Sequence, residues 1–174
     1  MTLKEHLWEL DRALIDQDVP ISKATKLIQE AHASGKRLWM LGNGGSLAIA
    51  QHFAQDLLKC HGLRAQCLND PSVLTAYAND EGFTPSFFMP LRVLSSPGDI
   101  IIVFSCSGKS RNYNQIFSNN SKERPKTIAI LGTDGGHFKE RADVAIHVNH
   151  KDYKVCETGF NIVADIINHS LGEK

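Results

Sequence analysis

The amino-acid sequence predicts an α/β fold: one domain, spanning residues 1–174, built around a five-stranded parallel sheet. Five short apolar runs alternate along the chain with helical segments, a pattern typical of parallel, doubly wound sheets. One run, residues 100–104, is apolar at every position, as expected of a strand that helices cover on both faces. A length of 174 residues with 42% hydrophobic content suits one core better than two.

The first 35 residues predict a helical hairpin that precedes an α/β core at residues 36–174. Apolar residues recur there at helical spacing in two stripes. The first stripe contains Leu3, Leu7, Leu10, Leu14 and Ile15, and the second contains Ala24, Ile28 and Ala31. Pro20 suits the opening turn of the second helix. We expect these stripes to support a stable oligomer.

The period of the apolar residues then changes to that of strands. The strands are predicted at residues 37–41, 65–68, 99–105, 127–131 and 144–148. The helices between and after them are predicted at residues 46–59, 71–78, 110–119 and 155–171. Because crossover connections are right-handed, the carboxyl ends of these strands share one edge of the sheet, where ligands bind.

Composition and charge narrow the classes of partner. The net charge of zero, from 19 basic and 19 acidic residues, argues against a nucleic-acid partner, which a basic face would attract. No segment approaches about eighteen consecutive apolar residues, so no membrane partner is expected, and the first residues lack the pattern of a secretory signal. The cysteines form no CxxC pair, which favours reduced thiols and a cytoplasmic location. They are Cys60, Cys67, Cys106 and Cys156.

Residues 42–46, Gly-Asn-Gly-Gly-Ser, follow the first predicted strand and open a helix; we call them the glycine loop. Glycines permit positive φ angles and leave backbone N–H groups uncovered, and the amino end of a helix attracts negative charge. The pattern does not fit the dinucleotide-binding fingerprint, because Leu47 stands where the last glycine is required. An anion site and a simple tight turn are both compatible with this loop alone.

Residues 105–110, Ser-Cys-Ser-Gly-Lys-Ser, follow the most apolar strand; we call them the serine loop. Its Gly-Lys-Ser ending resembles a P-loop, but that motif requires a glycine where Val103 stands. Three hydroxyls and a glycine at the start of a helix form a small anion cradle. A solvated turn is the alternative, and two such loops at two strand ends favour a phosphate site.

The ordered motifs GNGGS, HFAQDL, NDPSVLTAYANDEGF, SCSGKS and LGTDGGHFKERAD resemble the sugar isomerase (SIS) domain. Within it, residues 37–171 are most similar to the phosphoheptose isomerase group, which converts sedoheptulose 7-phosphate to a heptose 7-phosphate. The resemblance implies a flavodoxin-like three-layer sandwich that binds a sugar phosphate. It also implies a homo-oligomer, usually a tetramer, with its sites at subunit interfaces and no required cofactor.

The resemblance assigns the substrate contacts residue by residue. It places phosphate contacts on Ser105, Cys106, Ser107 and Ser110, with Asn43, Gly44 and Ser46 nearby. The position of Cys106 is typically threonine in the family, so one hydroxyl is absent here while the backbone donor remains. Asp80 stands where the family has a sugar-contacting aspartate; an ordinary helix-ending turn is the alternative.

The reaction of the family needs a base that shuttles a proton between C1 and C2 and an acid near the carbonyl oxygen. Asp56 stands at the position of the family's basic glutamate, and His52, four residues earlier, shares its helix face. Without the resemblance, this pair would suit a solvated helix face. Ala164 replaces the family's acidic histidine, so His52 is an alternative acid.

Two alternatives stay open at this point. In the last helix Cys156 stands for a glutamine, and His52, Asp56 and Cys156 offer donors that zinc accepts. The second alternative is a non-catalytic SIS protein that binds a sugar phosphate or acts as a protein adaptor. The replication-initiator-binding adaptors of the family also lack the last-helix histidine.

Overall fold

The computed structural model describes residues 2–119, 121 and 123–172. Its single sheet is parallel throughout and has the order β2-β1-β3-β4-β5. The strands are β1 (Arg37–Leu41), β2 (Arg64–Cys67), β3 (Ile100–Ser105), β4 (Lys126–Leu131) and β5 (Val144–His147). The predicted α/β fold is confirmed, and each predicted strand lies within one residue of the observed one at each end.

Helices connect the strands and cover both faces of the sheet. They are α1 (Leu3–Leu14), α2 (Asp18–Ala33), α3 (Gly45–His61), α4 (Pro71–Asp80), α5 (Phe88–Leu94), α6 (Asn114–Ser118), α7 (Phe138–Arg141) and α8 (Tyr153–Ser170). A 3₁₀ turn, Arg111–Tyr113, precedes α6. Within the part of the chain that the structure describes, none of these helices combines the length and apolar character needed to cross a bilayer.

Three helical details differ from the sequence prediction. The single helix expected at residues 110–119 is a 3₁₀ turn followed by the five-residue α6. Helices α5 and α7 were not predicted, because seven and four residues are too few to show a helical period. Helix α2 begins at Asp18, so Pro20 occupies its third position rather than its start.

Alternating strand residues divide the core into two layers. Leu38 and Met40 face a cluster that also contains Phe53 of α3 and Phe160 of α8. Trp39 packs on the other face of the sheet, within the cluster built from α5, α6 and α7. The result is the predicted three-layer sandwich, with all six residues of β3 buried.

The two N-terminal helices pack on the face of the sheet that carries α8. A capping box starts α1: the Thr2 hydroxyl accepts from the Glu5 N–H, and the Glu5 carboxylate accepts from the Thr2 N–H. Leu3, Leu7 and Trp8 of α1 keep 76%, 56% and 56% of their surface exposed in the single chain. The predicted helical pair is therefore present, and it presents an apolar stripe to the outside.

A buried carboxylate fixes the starts of the two central strands. Asp99, only 3% exposed, accepts hydrogen bonds from the N–H groups of Arg37 (2.9 Å) and Ser96 (2.9 Å). It also accepts from Trp39 Nε1 at 3.1 Å. One side chain thus satisfies three donors, of which the Trp39 indole is buried, and it aligns β1 with β3 at the edge of the sheet opposite the two loops.

Replacing Asp99 with alanine leaves these three donors unpaired. We expect Asp99→Ala to lower the free energy of unfolding by about 3 kcal/mol, measured by urea denaturation. Asp16→Ala, at an exposed aspartate between α1 and α2, is the matched control and should change stability little. Equal effects of the two substitutions would contradict the structural role of Asp99.

Candidate active site

The two predicted loops lie side by side because their strands are neighbours. β1 pairs with β3, although β2 comes between them in the chain. The order of the sheet reverses at this pair, and the loops that leave its carboxyl ends diverge to opposite faces, which opens a crevice. The glycine loop follows β1 and the serine loop follows β3.

A pair of asparagines joins the two loops. The Nδ2 group of Asn43 donates to Oδ1 of Asn112 at 3.1 Å, and Asn112 Nδ2 returns the bond to Asn43 Oδ1 at 2.9 Å. Asn112 is fully buried in the 3₁₀ turn after the serine loop. The sequence analysis identified Asn43 but missed Asn112, because only the fold brings the two residues together.

The serine loop is ordered by its own hydroxyls. Ser105 Oγ accepts from the N–H of Gly108 at 3.2 Å, and Ser107 Oγ accepts from the N–H of Lys109 at 3.2 Å. Both hydroxyls therefore keep their own hydrogens for another acceptor. Ser110, half-buried, precedes the 3₁₀ turn as its N-cap residue and makes no capping bond with its side chain.

The loop after β4, residues 132–136, packs against the serine loop; we call it the supporting loop. Gly108 and Gly135 approach so closely that a Cβ at position 108 would overlap the Gly135 carbonyl. Lys109 Nζ bonds Asp134 Oδ2 at 2.8 Å. The N–H of Phe138 donates to the Gly108 carbonyl at 3.3 Å. These contacts fix the backbone of the serine loop before any ligand arrives.

Thr133, in the same supporting loop, has a φ of 42°, an unfavourable angle for a branched side chain. Three neighbours hold it there. Its N–H donates to Cys156 Sγ at 3.4 Å, its hydroxyl donates to the Cys106 carbonyl at 3.0 Å, and its carbonyl lies 2.8 Å from His147 Nε2. Burial lowers the pKa of His147, and the Lys139 ammonium, 3.1 Å from Nδ1, also favours the neutral ring.

The thiol of Cys106 packs into the core beneath the serine loop, against Ser46. Burial raises the pKa of this thiol to about 12, so it stays protonated at neutral pH. Both side chains are less than 10% exposed. Cys106 therefore offers its backbone donor rather than its side chain to a ligand at these loops, as expected, and the burial of Ser46 gives that residue the same character.

Cys156 does not join His52 and Asp56. Its Sγ is fully buried and donates to the His150 carbonyl at 3.0 Å, and burial raises its pKa. The described residues contain no cluster of three or more histidine, cysteine, aspartate or glutamate side chains placed to hold a metal ion. The hypothesis of a zinc site on these three residues therefore finds no support within one chain, and we assign no chemical step to a metal.

The predicted catalytic pair lines a pocket of about 300 Å³ between α3 and α8. His52 Nε2 and Asp56 Oδ2 are 3.5 Å apart. The side chains are 68% and 27% exposed, so both reach solvent in the single chain. Asp165 and Ala164 of α8 line the same pocket.

The glycine loop borders a separate cavity of about 230 Å³, which we call the loop cavity. Gly44 lines it with a φ of 55°, which glycine adopts without strain. Gly45 is against the carboxylate of Glu157, which therefore lies beside the amino end of α3. Asp80, the last residue of α4, is exposed, accepts from Asn79 Nδ2 at 2.8 Å and does not line the loop cavity.

Residues 5–132 match the model of the SIS domain. The chain belongs to the SIS domain family. It is 34% identical over 161 residues to the phosphoheptose isomerase of Geobacter sulfurreducens, covering 87% of this chain and 85% of that protein. The phosphoheptose isomerase structure from Neisseria gonorrhoeae superposes with a TM-score of 0.89 at 28% identity, covering 97% and 93% of the two chains. The Francisella tularensis structure, at 22% identity, shares the fold with a TM-score of 0.88 over 98% and 94%.

Ala164 stands at a position where the resemblance to the SIS family assigns a histidine. Its side chain is 8% exposed and contributes to the pocket of His52 and Asp56. The histidine that the resemblance assigns to this position would thus face His52 and Asp56. In this SIS chain that place holds a methyl group, and the polar side chains around it are His52, Asp56, Asn161 and Asp165.

The crowding at Gly108 predicts a position-specific loss of stability. Gly108→Ala combines a positive φ of 59° with overlap against the backbone of Gly135, and we expect a loss of about 3 kcal/mol in unfolding free energy. Gly35→Ala is the matched control, because Gly35 has a φ of 66° and open space around it. Urea denaturation compares them; equal losses would show that the supporting loop does not confine residue 108.

Proposed function

We propose that the chain is an aldose–ketose isomerase that acts on sedoheptulose 7-phosphate or a closely related sugar phosphate. The observation that carries this proposal is the Asn43–Asn112 pair, which joins two anion-binding loops in a chain of the SIS family. The named relatives in the phosphoheptose isomerase group support the choice of reaction and substrate.

The phosphate of the substrate binds between the two loops. Ser105, Ser107 and Ser110 donate from their hydroxyls, and the glycine loop adds N–H groups at the amino end of α3, where the helix dipole favours an anion. Ser105 and Ser107 are already held by backbone donors. The site therefore loses little side-chain freedom when the phosphate binds.

Asp56 is the base and His52 the acid of the proposed reaction. The Asp56 carboxylate removes a proton from C1 of the ketose while His52 protonates the carbonyl oxygen on C2, which gives an enediol. Asp56 then returns its proton to C2, and His52 recovers one from the hydroxyl on C1, which becomes the aldehyde. The protons balance between the two side chains, so the reaction needs no cofactor.

The two parts of the proposed site lie far apart in one chain. Asp56 lies eleven residues beyond Gly45 on α3, or about 16 Å at a rise of about 1.5 Å per residue. Eight single bonds link the phosphorus of a ketoheptose 7-phosphate to C1, from which Asp56 removes the proton, about 10 Å when extended. The catalytic pair of one subunit therefore serves the phosphate loops of another.

A homo-oligomer, of which a tetramer is the proposed form, places these parts together. The exposed stripe of Leu3, Leu7 and Trp8 on α1 supplies apolar surface for such contacts, and Leu58 of α3 and Ile166 of α8 are also exposed. The proposed location is the cytoplasm, because its conditions are compatible both with a phosphorylated sugar and with four free thiols.

The non-catalytic alternative is less well supported. A protein adaptor requires neither a serine loop with free hydroxyl hydrogens nor a supporting loop that orders it. The relatives reported above are named isomerases. Ala164 removes one proton donor, but His52 lies in the same pocket and replaces its function in the proposal.

The sharing of the site between subunits is tested by mixing two impaired variants and assaying them at low substrate concentration. We expect Asp56→Asn to lower kcat on sedoheptulose 7-phosphate about a thousandfold, because it removes the base, and Ser107→Ala to impair binding. Co-refolded Asp56→Asn and Ser107→Ala chains should exceed the mean activity of the two variants refolded separately, since some sites combine intact loops from one chain with an intact Asp56 from another. Activity of the mixed oligomer no higher than that mean would contradict the shared site.

The phosphate loop is tested by binding alone. Ser107→Ala should weaken binding of sedoheptulose 7-phosphate roughly tenfold, the effect of one hydrogen bond to a charged group. Isothermal titration calorimetry measures the change. Ser118→Ala is the control, because its hydroxyl pairs with Arg141 on α7. Unchanged affinity in Ser107→Ala would remove the serine loop from the phosphate site.

A further inference from the structure

A buried hydroxyl without a protein partner faces the loop cavity. Ser86 lies in the turn between α4 and α5, is 3% exposed and lines the cavity beside Asn43 and Asn112. Its N–H donates to the Phe83 carbonyl at 3.3 Å, which holds the residue in place. Among the described residues, no hydrogen bond involves its hydroxyl, whose oxygen is reached through the cavity.

We expect such a hydroxyl to form a hydrogen bond with a molecule from outside the chain. Buried polar groups are nearly always paired, and an unpaired one costs folding free energy. The other hydroxyl of the cavity, on Thr75, already bonds the Pro71 carbonyl of its own helix. Ser86 is therefore the hydroxyl that stays available to a molecule in the cavity.

The lining of the cavity indicates the chemistry of that molecule. Its polar lining includes the side chains of Asn43, Ser86 and Asn112. Its apolar lining includes Leu74 and Phe87. No charged side chain is among the lining residues that the structure describes. A neutral carbon chain that carries both hydroxyls and C–H groups matches this mixed lining, whereas a phosphate does not.

The position of the cavity relates it to the phosphate loops. Gly42, Asn43 and Gly44 form part of its wall, and Asn112 lies two residues beyond Ser110. A molecule whose phosphate is held by the two loops thus has its neutral part at the mouth of this cavity. The volume of about 230 Å³ exceeds the space of a single water, about 30 Å³.

We propose that Ser86 is a binding residue for the substrate: its hydroxyl bonds a hydroxyl of the neutral carbon chain of the sugar phosphate. The inference rests on the proposed function, because it uses the phosphate loops to place the substrate. Ser86 carries no proton in the reaction. It contributes affinity and discriminates between sugar phosphates by the position of their hydroxyl groups.

Binding to the Asp56→Asn protein, which does not consume the substrate, tests the proposal. In that background, Ser86→Ala should lower the affinity for sedoheptulose 7-phosphate roughly tenfold and leave the affinity for inorganic phosphate unchanged. Ser86→Thr, which keeps the hydroxyl, should retain more affinity than Ser86→Ala. Ser95→Ala is the control, because the Ser95 hydroxyl donates to the Leu91 carbonyl at 2.7 Å.

The outcomes separate this inference from the proposed function. Unchanged affinity of Ser86→Ala for sedoheptulose 7-phosphate would overturn the role of Ser86 and leave the isomerase proposal intact. An equal loss for inorganic phosphate and the sugar phosphate would also overturn it, since the substitution would then act through the loops. If the parent protein binds neither molecule, the proposed function itself fails.

Discussion

The pairing of β1 with β3 is the constraint on which the rest of the molecule depends. Two polar interactions, at opposite ends of the pair, hold it in register. At the amino ends, Asp99 accepts from Arg37 and Trp39. Beyond the carboxyl ends, Asn43 and Asn112 exchange amide hydrogen bonds. Because both interactions are largely removed from water, each contributes more to the specificity of the pairing than an exposed bond would, and together they bring the glycine loop and the serine loop side by side.

The two parts of the proposed site lie in different regions of the chain. The serine loop is held in place by the supporting loop after β4, which packs against Gly108 and pairs Asp134 with Lys109. The pair of His52 and Asp56 lies farther along α3, in a pocket open to solvent. In the proposed function, a single chain therefore carries two halves of a site, and assembly of subunits brings the halves together.

The sequence predicted the sheet well because apolar runs record burial directly. It failed for short elements such as α5, and it could not show that Asn112 meets Asn43, since no local pattern records a contact across 69 positions. The resemblance assigned residues to a site but did not show where their side chains lie. Cys106 and Ser46 are loop residues as predicted, yet the Cys106 side chain packs in the core and Ser46 is buried beside it. Ser86 went unnoticed because its meaning depends on a cavity formed by three separate segments.

The buried sulfur atoms beneath the loops have a practical consequence. Thiol reagents attack the thiolate, and burial keeps Cys106 and Cys156 protonated and covered. Cys60 is exposed on the outside of α3 and reacts regardless of the state of the loops. The rate at which a thiol reagent modifies Cys106 and Cys156 therefore reports how often the packing beneath the serine loop opens, with no added label.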